Sequence, residues 1–158
     1  MNAPGMAPIP DAEVPSAEAL MRRWFDEVWN KGKSEMIDEM FPETSLMWGV
    51  GRPENSARGP AVFKEFYRGM RAACPDVQIV LDHVVHEGDT AFARWTATMT
   101  VTGEGLGVAP ANQKIRIHGM TACRADNGVI TEGWNVWDQM GMARQLGLLQ
   151  GPVTQLFA

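Results

Sequence analysis

The sequence predicts an α+β fold in a single domain, built from a curved antiparallel (mixed) β-sheet with three to four helices over its concave face. Two observations support this prediction: amphipathic helical patterns fill the first half of the chain, and long alternating strands fill most of the second half. No strand–helix–strand alternation occurs, so a parallel doubly wound sheet is not expected. A curved sheet under helices leaves a cavity, and we expect the functional site there.

Composition narrows the class of protein. The chain has 158 residues, a length that suits one domain, and its net charge is −5. An acidic chain has no electrostatic attraction for nucleic acid or an anionic membrane, so neither partner is expected. No apolar run approaches the roughly 20 residues that span a bilayer, and the N-terminus lacks a signal-peptide pattern. We therefore expect a cytoplasmic protein, with Cys74 and Cys123 as buried thiols.

The helices are predicted from caps and apolar spacing. The first begins at the N-cap Ser16 and ends at Gly32. Its apolar residues recur on one face: Ala17, Leu20, Met21, Trp24, Phe25, Val28 and Trp29. A short helix is predicted over Ser34–Met40, and a longer one begins at Pro60 and stops at Pro75. The buried stripe of the longer helix is Val62, Phe63, Phe66, Tyr67 and Met70.

The strands follow, apart from an early short one at Thr44–Val50 that precedes a loop at Gly51–Gly59. Four long strands are predicted at Val77–His86, Thr90–Val101, Lys114–Ala125 and Val129–Asp138. The second of them alternates most clearly, with one face formed by Ala91, Ala93, Trp95, Ala97, Met99 and Val101. The segment Gly103–Asn112 is a loop, and Asp126-Asn127-Gly128 is a hairpin turn. A last helix is predicted near Gln139–Leu149.

Several motifs in the second half form a recognisable set. The shorter ones are Gly88-Asp89, Arg94-Trp95-Thr96, Gly103-Glu104, Gly107 and Gly119. The strongest runs from Gly128 to Asp138 as GVITEGWNVWD, and Gln145-Leu146-Gly147 follows it. In these motifs the chain resembles the SnoaL-like polyketide cyclases of the nuclear transport factor 2-like superfamily, over about residues 16–150. Residues 1–15 would then form a flexible arm and residues 151–158 a C-terminal tail.

The resemblance implies a cone-shaped domain that forms a homodimer through the outer face of the sheet. It also implies intramolecular aldol condensation of a polyketide without a metal or organic cofactor. The chain departs from the family pattern at two places. Val101 stands where a histidine is often found, and Pro110-Ala111-Asn112 replaces a proline-threonine-glycine. The missing histidine favours a non-catalytic role.

Asp138 is the leading candidate for catalysis. If strand alternation holds, Trp134 and Val136 share its side, and such neighbours would desolvate the carboxylate and raise its pKa towards neutrality. A carboxylate of that kind can move a proton to and from a substrate. The alternative is that Asp138 only caps the last helix, because Asp is a favoured N-cap residue.

His118 is the second catalytic candidate, and its facing depends on the hairpin. A two-residue turn would pair His118 with Trp137, on the side opposite to Asp138. A three-residue turn would pair it with Val136, on the side of Asp138, where it could orient that carboxylate or polarise a carbonyl. His83 and His86 are three residues apart in a strand and cannot chelate together, so no metal site is expected.

Aromatic side chains are expected to line the pocket. The candidate substrate-binding residues are Trp134, Trp24, Phe63, Tyr67, Trp95 and Val136. Arg94 is expected to be ion-paired within the sheet, and Glu132 to pair with a nearby Arg. In limonene epoxide hydrolases, relatives with this fold, an Arg-x-Asp pair stands where this chain has Arg94-Trp95-Thr96, so their water activation is incomplete here.

Three functions follow from these residues. The first is a cofactor-free acid/base enzyme acting on a hydrophobic, carbonyl-containing small molecule, with polyketide cyclase-like chemistry at Asp138. The second is a non-catalytic small-molecule-binding or dimerisation module. The third is a hydrolase or dehydratase related to limonene epoxide hydrolase that uses Asp138 with His118.

Overall fold

A computed structural model describes residues 14–50, 56–102 and 112–149 and confirms the predicted α+β class. Six strands form one mixed sheet in the order β2-β1-β6-β5-β4-β3. The strands are β1 Leu46–Trp48, β2 Ser56–Arg58, β3 Gln78–Glu87, β4 Thr90–Val101, β5 Gln113–Asp126 and β6 Val129–Trp137. The helices are α1 Ala17–Arg23, which continues as a π-helix over Trp24–Asn30, then α2 Glu35–Met40, α3 Gly59–Ala73 and α4 Gln139–Gln145.

Two of the predicted segments lie almost wholly outside the described residues. These are the N-terminal arm, residues 1–15, and the tail, residues 151–158. Most of the predicted loop over residues 103–112 lies outside them as well. Within the described part of the chain, no helix combines the length and hydropathy needed to cross a membrane.

The first helix begins as predicted but changes its winding. The hydroxyl of Ser16 accepts a hydrogen bond from the Ala19 backbone N–H at 3.1 Å, as an N-cap does. From Trp24 the helix widens, and at its end the Lys31 N–H reaches back five residues to the Asp26 carbonyl at 2.9 Å. The apolar pattern did not predict this change, because both windings keep an apolar stripe on one side.

Strand β2 was missed, since its residues were read as part of a loop. It is three residues long and antiparallel to β1, with Met47 opposite Ala57. So short a segment carries no alternation that could identify it. Strand β1 runs parallel to β6, with Met47 opposite Gly133, and this pairing makes the sheet mixed.

The four long strands are antiparallel and close to their predicted bounds. The predicted inward face of β4 is confirmed, because all six of its residues are buried. Between β5 and β6, Asn127 and Gly128 have φ angles of 48° and 79°, which is the geometry of a two-residue type I′ turn. Glycine suits the second position because it adopts positive φ without steric cost.

The helices pack on the inner face of the sheet and form the core with it. The largest fully buried side chains come mainly from α1, its π-helical continuation and α2: Leu20, Met21, Val28, Ile37, Met40 and Phe41. Cys74 and Cys123 are free and buried, as predicted. Burial raises the pKa of each thiol to about 11.

Candidate functional site

A cavity lies between the inner face of the sheet and the helices. Its helical side is formed by Trp24, Phe25, Trp29, Phe63, Phe66 and Met70. Its sheet side includes Met47, Ile79, Ala97, Met99 and Ile117. The cavity has a volume of about 70 Å³, which is room for several water molecules or for part of a flat apolar ligand.

The π-helix and α3 hold the aromatic side of the cavity in place. The rings of Trp24 and Phe63 are 5.1 Å apart between centroids, and those of Trp29 and Tyr67 are 5.3 Å apart. The Tyr67 hydroxyl donates to the Val28 carbonyl at 3.0 Å. Burial raises the pKa of that hydroxyl, so it stays a donor at neutral pH. Tyr67 therefore holds the π-helix in place through its contact with Val28, but it does not itself line the cavity.

On the sheet side, Trp95 lies flat over a glycine of the neighbouring strand. A Cβ atom at Gly119 would come within 2.1 Å of Trp95 Cζ2, so the ring can occupy this position only because Gly119 has no side chain. Strand pairing places the two residues directly opposite each other. The motif glycine of β5 thus sets the position of one wall of the cavity.

A hydrogen-bonded group of polar side chains lies on the same side. The Trp95 indole N–H donates to Thr121 Oγ1 at 2.9 Å, and the Thr121 hydroxyl donates to Asn135 Oδ1 at 2.7 Å. Trp95 and Thr121 are buried, whereas Asn135 is half-buried on the cavity wall. Trp137, two residues further along β6, also lines the cavity.

Trp137 carries an unpaired donor. Its Nε1 is the one buried side-chain nitrogen or oxygen, within the three described segments, that has no hydrogen-bond partner. None of the described cavity-wall side chains is Asp, Glu, His, Lys or Arg. The described part of the wall is therefore neutral, and its polar side-chain atoms belong to hydroxyl, amide and indole groups.

The prediction that Asp138 shares an apolar pocket with Trp134 and Val136 is wrong. A β-bulge explains the difference: Ala125 pairs with Ile130 but Arg124 pairs with Glu132, which leaves one extra residue on β6. Ile130 faces inward. Beyond the bulge, the odd-numbered residues of β6 face inward instead of the even-numbered ones. Val136 is consequently 73% exposed on the outer face of the sheet.

Asp138 itself is exposed and caps helix α4. Its Oδ1 accepts a hydrogen bond from the Gly141 backbone N–H at 2.7 Å, and its carbonyl accepts one from Met142 at 3.0 Å. This geometry is that of a helix N-cap, which was the alternative role that the sequence suggested for Asp138. Asp138 does not line the cavity.

His118 agrees with neither of its two predicted pairings. The turn has two residues, but the bulge shifts the pairing by one residue. Gly119 therefore pairs with Trp137, and His118 lies opposite Asp138. The Asp138 N–H donates to the His118 carbonyl at 3.0 Å. The His118 side chain is exposed, and its Nδ1 lies 3.0 Å from Thr96 Oγ1.

Of the remaining predicted site residues, some line the cavity and others do not. Trp24, Phe63 and Trp95 lie on the cavity wall, whereas Tyr67 and Trp134 do not. The sequence reasoning missed Thr121, Asn135 and Trp137 as wall residues. The first lies in the alternating pattern of β5 and was available there, but the other two depend on the bulge.

Other predicted contacts lie outside the cavity. Arg94 Nε is 3.7 Å from Asp82 Oδ2, and Arg124 is 3.6 Å from Glu132, so both expected ion pairs are present. Val101, which replaces the family histidine, is fully buried and does not line the cavity. In the described segments, no three His, Cys, Asp or Glu side chains cluster as metal ligands do.

Comparisons with known proteins identify a family and a fold. Residues 19–146 match the model of the SnoaL-like polyketide cyclases. AclR from Streptomyces galilaeus, a proposed hydroxylase, has 25% identity and a TM-score of 0.74, over 89% of this chain and 91% of its own. IdmH from Streptomyces antibioticus, a proposed polyketide cyclase, has 24% identity and a TM-score of 0.70, over 81% of this chain and 96% of its own.

A third solved structure extends the fold comparison. A proposed SnoaL-like polyketide cyclase from Jannaschia sp. CCS1 has 19% identity and a TM-score of 0.76, over 92% of this chain and all of its own. At the lower identities the likeness concerns the fold alone. A search of the curated proteins gave no significant match.

Proposed function

Because the chain belongs to the SnoaL-like polyketide cyclase family, we propose that it binds a hydrophobic, polyketide-type small molecule in the cavity under its sheet. The observation that supports this proposal is the cavity wall. It is aromatic on the helical side and carries the hydrogen-bonded Thr121 and Asn135 on the sheet side. Small-molecule sites typically combine extensive apolar walls with a few fixed polar groups.

The chemistry of this wall favours binding over proton transfer. A hydroxyl, an amide or an indole can donate a hydrogen bond to a ligand oxygen, but none of them accepts a proton near neutral pH. An aldol condensation needs a base at the reacting carbon. Since the described wall contains no ionisable Asp, Glu, His, Lys or Arg, it supports recognition of the ligand more directly than its deprotonation.

Ligand binding is tested with anthrone, a planar tricyclic ketone, by following the quenching of tryptophan fluorescence. Ala97→Leu adds bulk to the cavity wall, and we expect it to weaken binding at least about tenfold, since a side chain there competes for ligand space. Ala122→Leu is the matched control, because Ala122 pairs with Trp134 on the outer face. Equal affinities in the wild type and both variants would count against the cavity as the site.

A second candidate function is cofactor-free acid/base catalysis of the cyclase type by Asp138 with His118. Its support is that Asp138 follows the last residue of β6 and lies opposite His118 of β5, to whose carbonyl its backbone N–H donates. In addition, Thr96 Oγ1 donates to Asp82 Oδ2 at 2.8 Å, so His118 Nδ1 is the group that donates to Thr96. The other ring nitrogen, Nε2, is then the basic one.

Asp138→Asn tests this candidate without disturbing the helix, because asparagine is as good an N-cap as aspartate. The assay follows aldol cyclisation of an aryl-substituted 1,5-diketone by chromatography. Acid/base catalysis predicts a fall in kcat of about 10²-fold or more. An unchanged kcat would reject Asp138 as the base and leave the binding function in place.

We further propose that a second copy of this chain covers the outer face of the sheet. Its support is a row of cross-strand neighbours, one from each of five strands, that all point outward: Val85, Phe92, Ala122, Trp134 and Trp48. Next to this row, Met120 and Val136 are paired and are 62% and 73% exposed. A row of neighbouring apolar side chains on an outer face is typical of an interface between subunits.

Sedimentation of the full chain tests the dimer. Met120→Lys places a charge in the middle of the face, and we expect it to shift the protein to the monomer. Met140→Lys is the control, because Met140 is also an exposed methionine, at 45%, but lies on α4. If both variants sediment like the wild type, the outer face is not the interface.

A further inference from the structure

The indole N–H of Trp137 is buried at the cavity wall and has no acceptor in the described part of the chain. A buried donor without a partner costs about 1–3 kcal/mol, and folded proteins keep few of them. The atom therefore has a use that offsets this cost. Its place on the wall of the cavity indicates that the missing acceptor belongs to a ligand.

The neighbouring polar side chains end in donors as well. An indole nitrogen only donates, so Thr121 Oγ1 accepts from Trp95 and passes its own hydrogen to Asn135 Oδ1. This order leaves the amide N–H₂ of Asn135 at the end of the group, with no acceptor among the described residues. Asn135 and Trp137 are two residues apart on the inward side of β6, about 7 Å along the strand. The wall thus presents two neighbouring donor groups.

The charge of the wall limits what these donors can bind. A ligand carboxylate or phosphate would be buried here without a counter-charge, because no Lys, Arg or His lies on the described wall. Burying an unpaired charge costs far more than a neutral hydrogen bond returns. A ketone, ester or quinone oxygen carries no such cost and accepts from both indole and amide N–H groups.

We propose that Trp137 Nε1 donates to a neutral carbonyl oxygen of the hydrophobic ligand, with the Asn135 amide as the adjacent donor. This inference rests on the proposed binding function and adds the feature by which a ligand is selected. It assigns ligand recognition to β6 residues on the inward side of the sheet. The acceptor is a carbonyl group surrounded by apolar structure, and its oxygen points towards the sheet.

The test uses 1-indanone and indane, a bicyclic ketone and its hydrocarbon, with indane-1-carboxylate as the charged analogue. Each is titrated into the full chain labelled with ¹⁵N at tryptophan, and the Trp137 indole signal is assigned by its absence in Trp137→Phe. We expect the ketone to bind about 5- to 30-fold more tightly than indane, the value of one buried hydrogen bond. Only the ketone should move the Trp137 N–H signal downfield, and the carboxylate should bind most weakly.

Trp137→Phe keeps an aromatic ring but removes the donor. Indane should still bind to this variant, and 1-indanone should bind with about the same affinity as indane. Trp134→Phe is the matched control, since Trp134 is on the same strand but faces outward, and it should keep the preference. Equal binding of ketone and hydrocarbon to the wild type, with no shift of the indole signal, would overturn this inference and leave the cavity function intact. If none of the three compounds binds, the proposed function fails first.

Two of these readouts do not depend on the variant. The affinity ratio and the indole shift are both measured on the wild-type protein. If Trp137→Phe does not fold, the assignment can be made from Trp134→Phe and the remaining single tryptophan substitutions. A ketone preference without a shift of any indole signal would likewise reject Trp137 as the donor.

Discussion

Replacing Thr121 by valine tests whether the hydrogen-bonded group at the cavity holds the sheet together. Valine matches threonine in shape, so the change removes the hydroxyl and little else. Two partners then lose their hydrogen bonds: Trp95 Nε1 loses its acceptor and Asn135 Oδ1 loses its donor. Both bonds join neighbouring strands, since Trp95 is on β4, Thr121 on β5 and Asn135 on β6.

The size of the effect follows from burial. Trp95 is only 5% exposed, so its indole N–H bears the full cost of an unmet donor, about 1–3 kcal/mol. Asn135 is half-buried beside the cavity, where water can reach its oxygen, and its loss is about 1 kcal/mol. We expect Thr121→Val to lower the free energy of unfolding by about 2–4 kcal/mol, which is roughly 4–16 °C in Tm for a chain of this size.

Urea unfolding followed by circular dichroism measures this loss. Thr121→Ser is the control, because serine keeps the hydroxyl and both hydrogen bonds and loses only a methyl group, at about 1 kcal/mol. In a Trp95→Phe background the valine substitution should cost about 1–3 kcal/mol less, because the indole donor is already absent. If Thr121→Val is no less stable than Thr121→Ser, the hydrogen-bonded group contributes nothing and the reasoning is refuted.

Three further predictions follow from the described contacts. Gly119→Ala places a Cβ atom 2.1 Å from Cζ2 of Trp95, so we expect a loss of about 1–3 kcal/mol in urea unfolding, together with an altered near-ultraviolet circular dichroism signal. Hydrogen bonds from the backbone N–H and hydroxyl of Thr100 lower the pKa of Asp76, so this carboxylate stabilises the fold above about pH 4 and less as the pH falls through its folded-state pKa. The stability difference between the wild type and Asp76→Asn should therefore shrink in acid unfolding below pH 4, and a constant difference would contradict it. Because burial raises the pKa of both thiols to about 11, we expect no reaction with Ellman's reagent at pH 8 in the native protein and two thiols per chain in guanidinium chloride.

Much of the fold was available in the sequence because it depends on local signals. The N-cap Ser16 and the position of the hairpin turn act within a few residues and were predicted correctly, although the sequence left open whether the turn has two or three residues. The inward face of β4 followed from simple alternation over a whole strand. By contrast, the π-helical winding and the three-residue strand β2 depend on packing and pairing with distant segments, so no local pattern indicated them.

The candidate site was predictable only in part. Trp24, Phe63 and Trp95 were chosen as large aromatics on apolar faces, and the wall contains them. Asp138 was chosen because it has the parity of Trp134 and Val136, but the extra residue at Thr131 turns that parity outward in the rest of β6. A single bulge thus moved three predicted residues to the outer face or the end of the sheet and placed two unselected ones in the cavity.

By itself, the sequence determined the fold class and most of the element bounds, because periodicity, caps and turn residues depend on consecutive positions. Its motifs also carried the resemblance that indicated the family. Only the tertiary structure decided which face of β6 lines the cavity. That choice depends on how β6 pairs with β5 across the bulge, where Arg124 meets Glu132 and Ala125 meets Ile130. The register of two strands is a property of both together, so the inward placement of Asn135 and Trp137 appears only once they are paired.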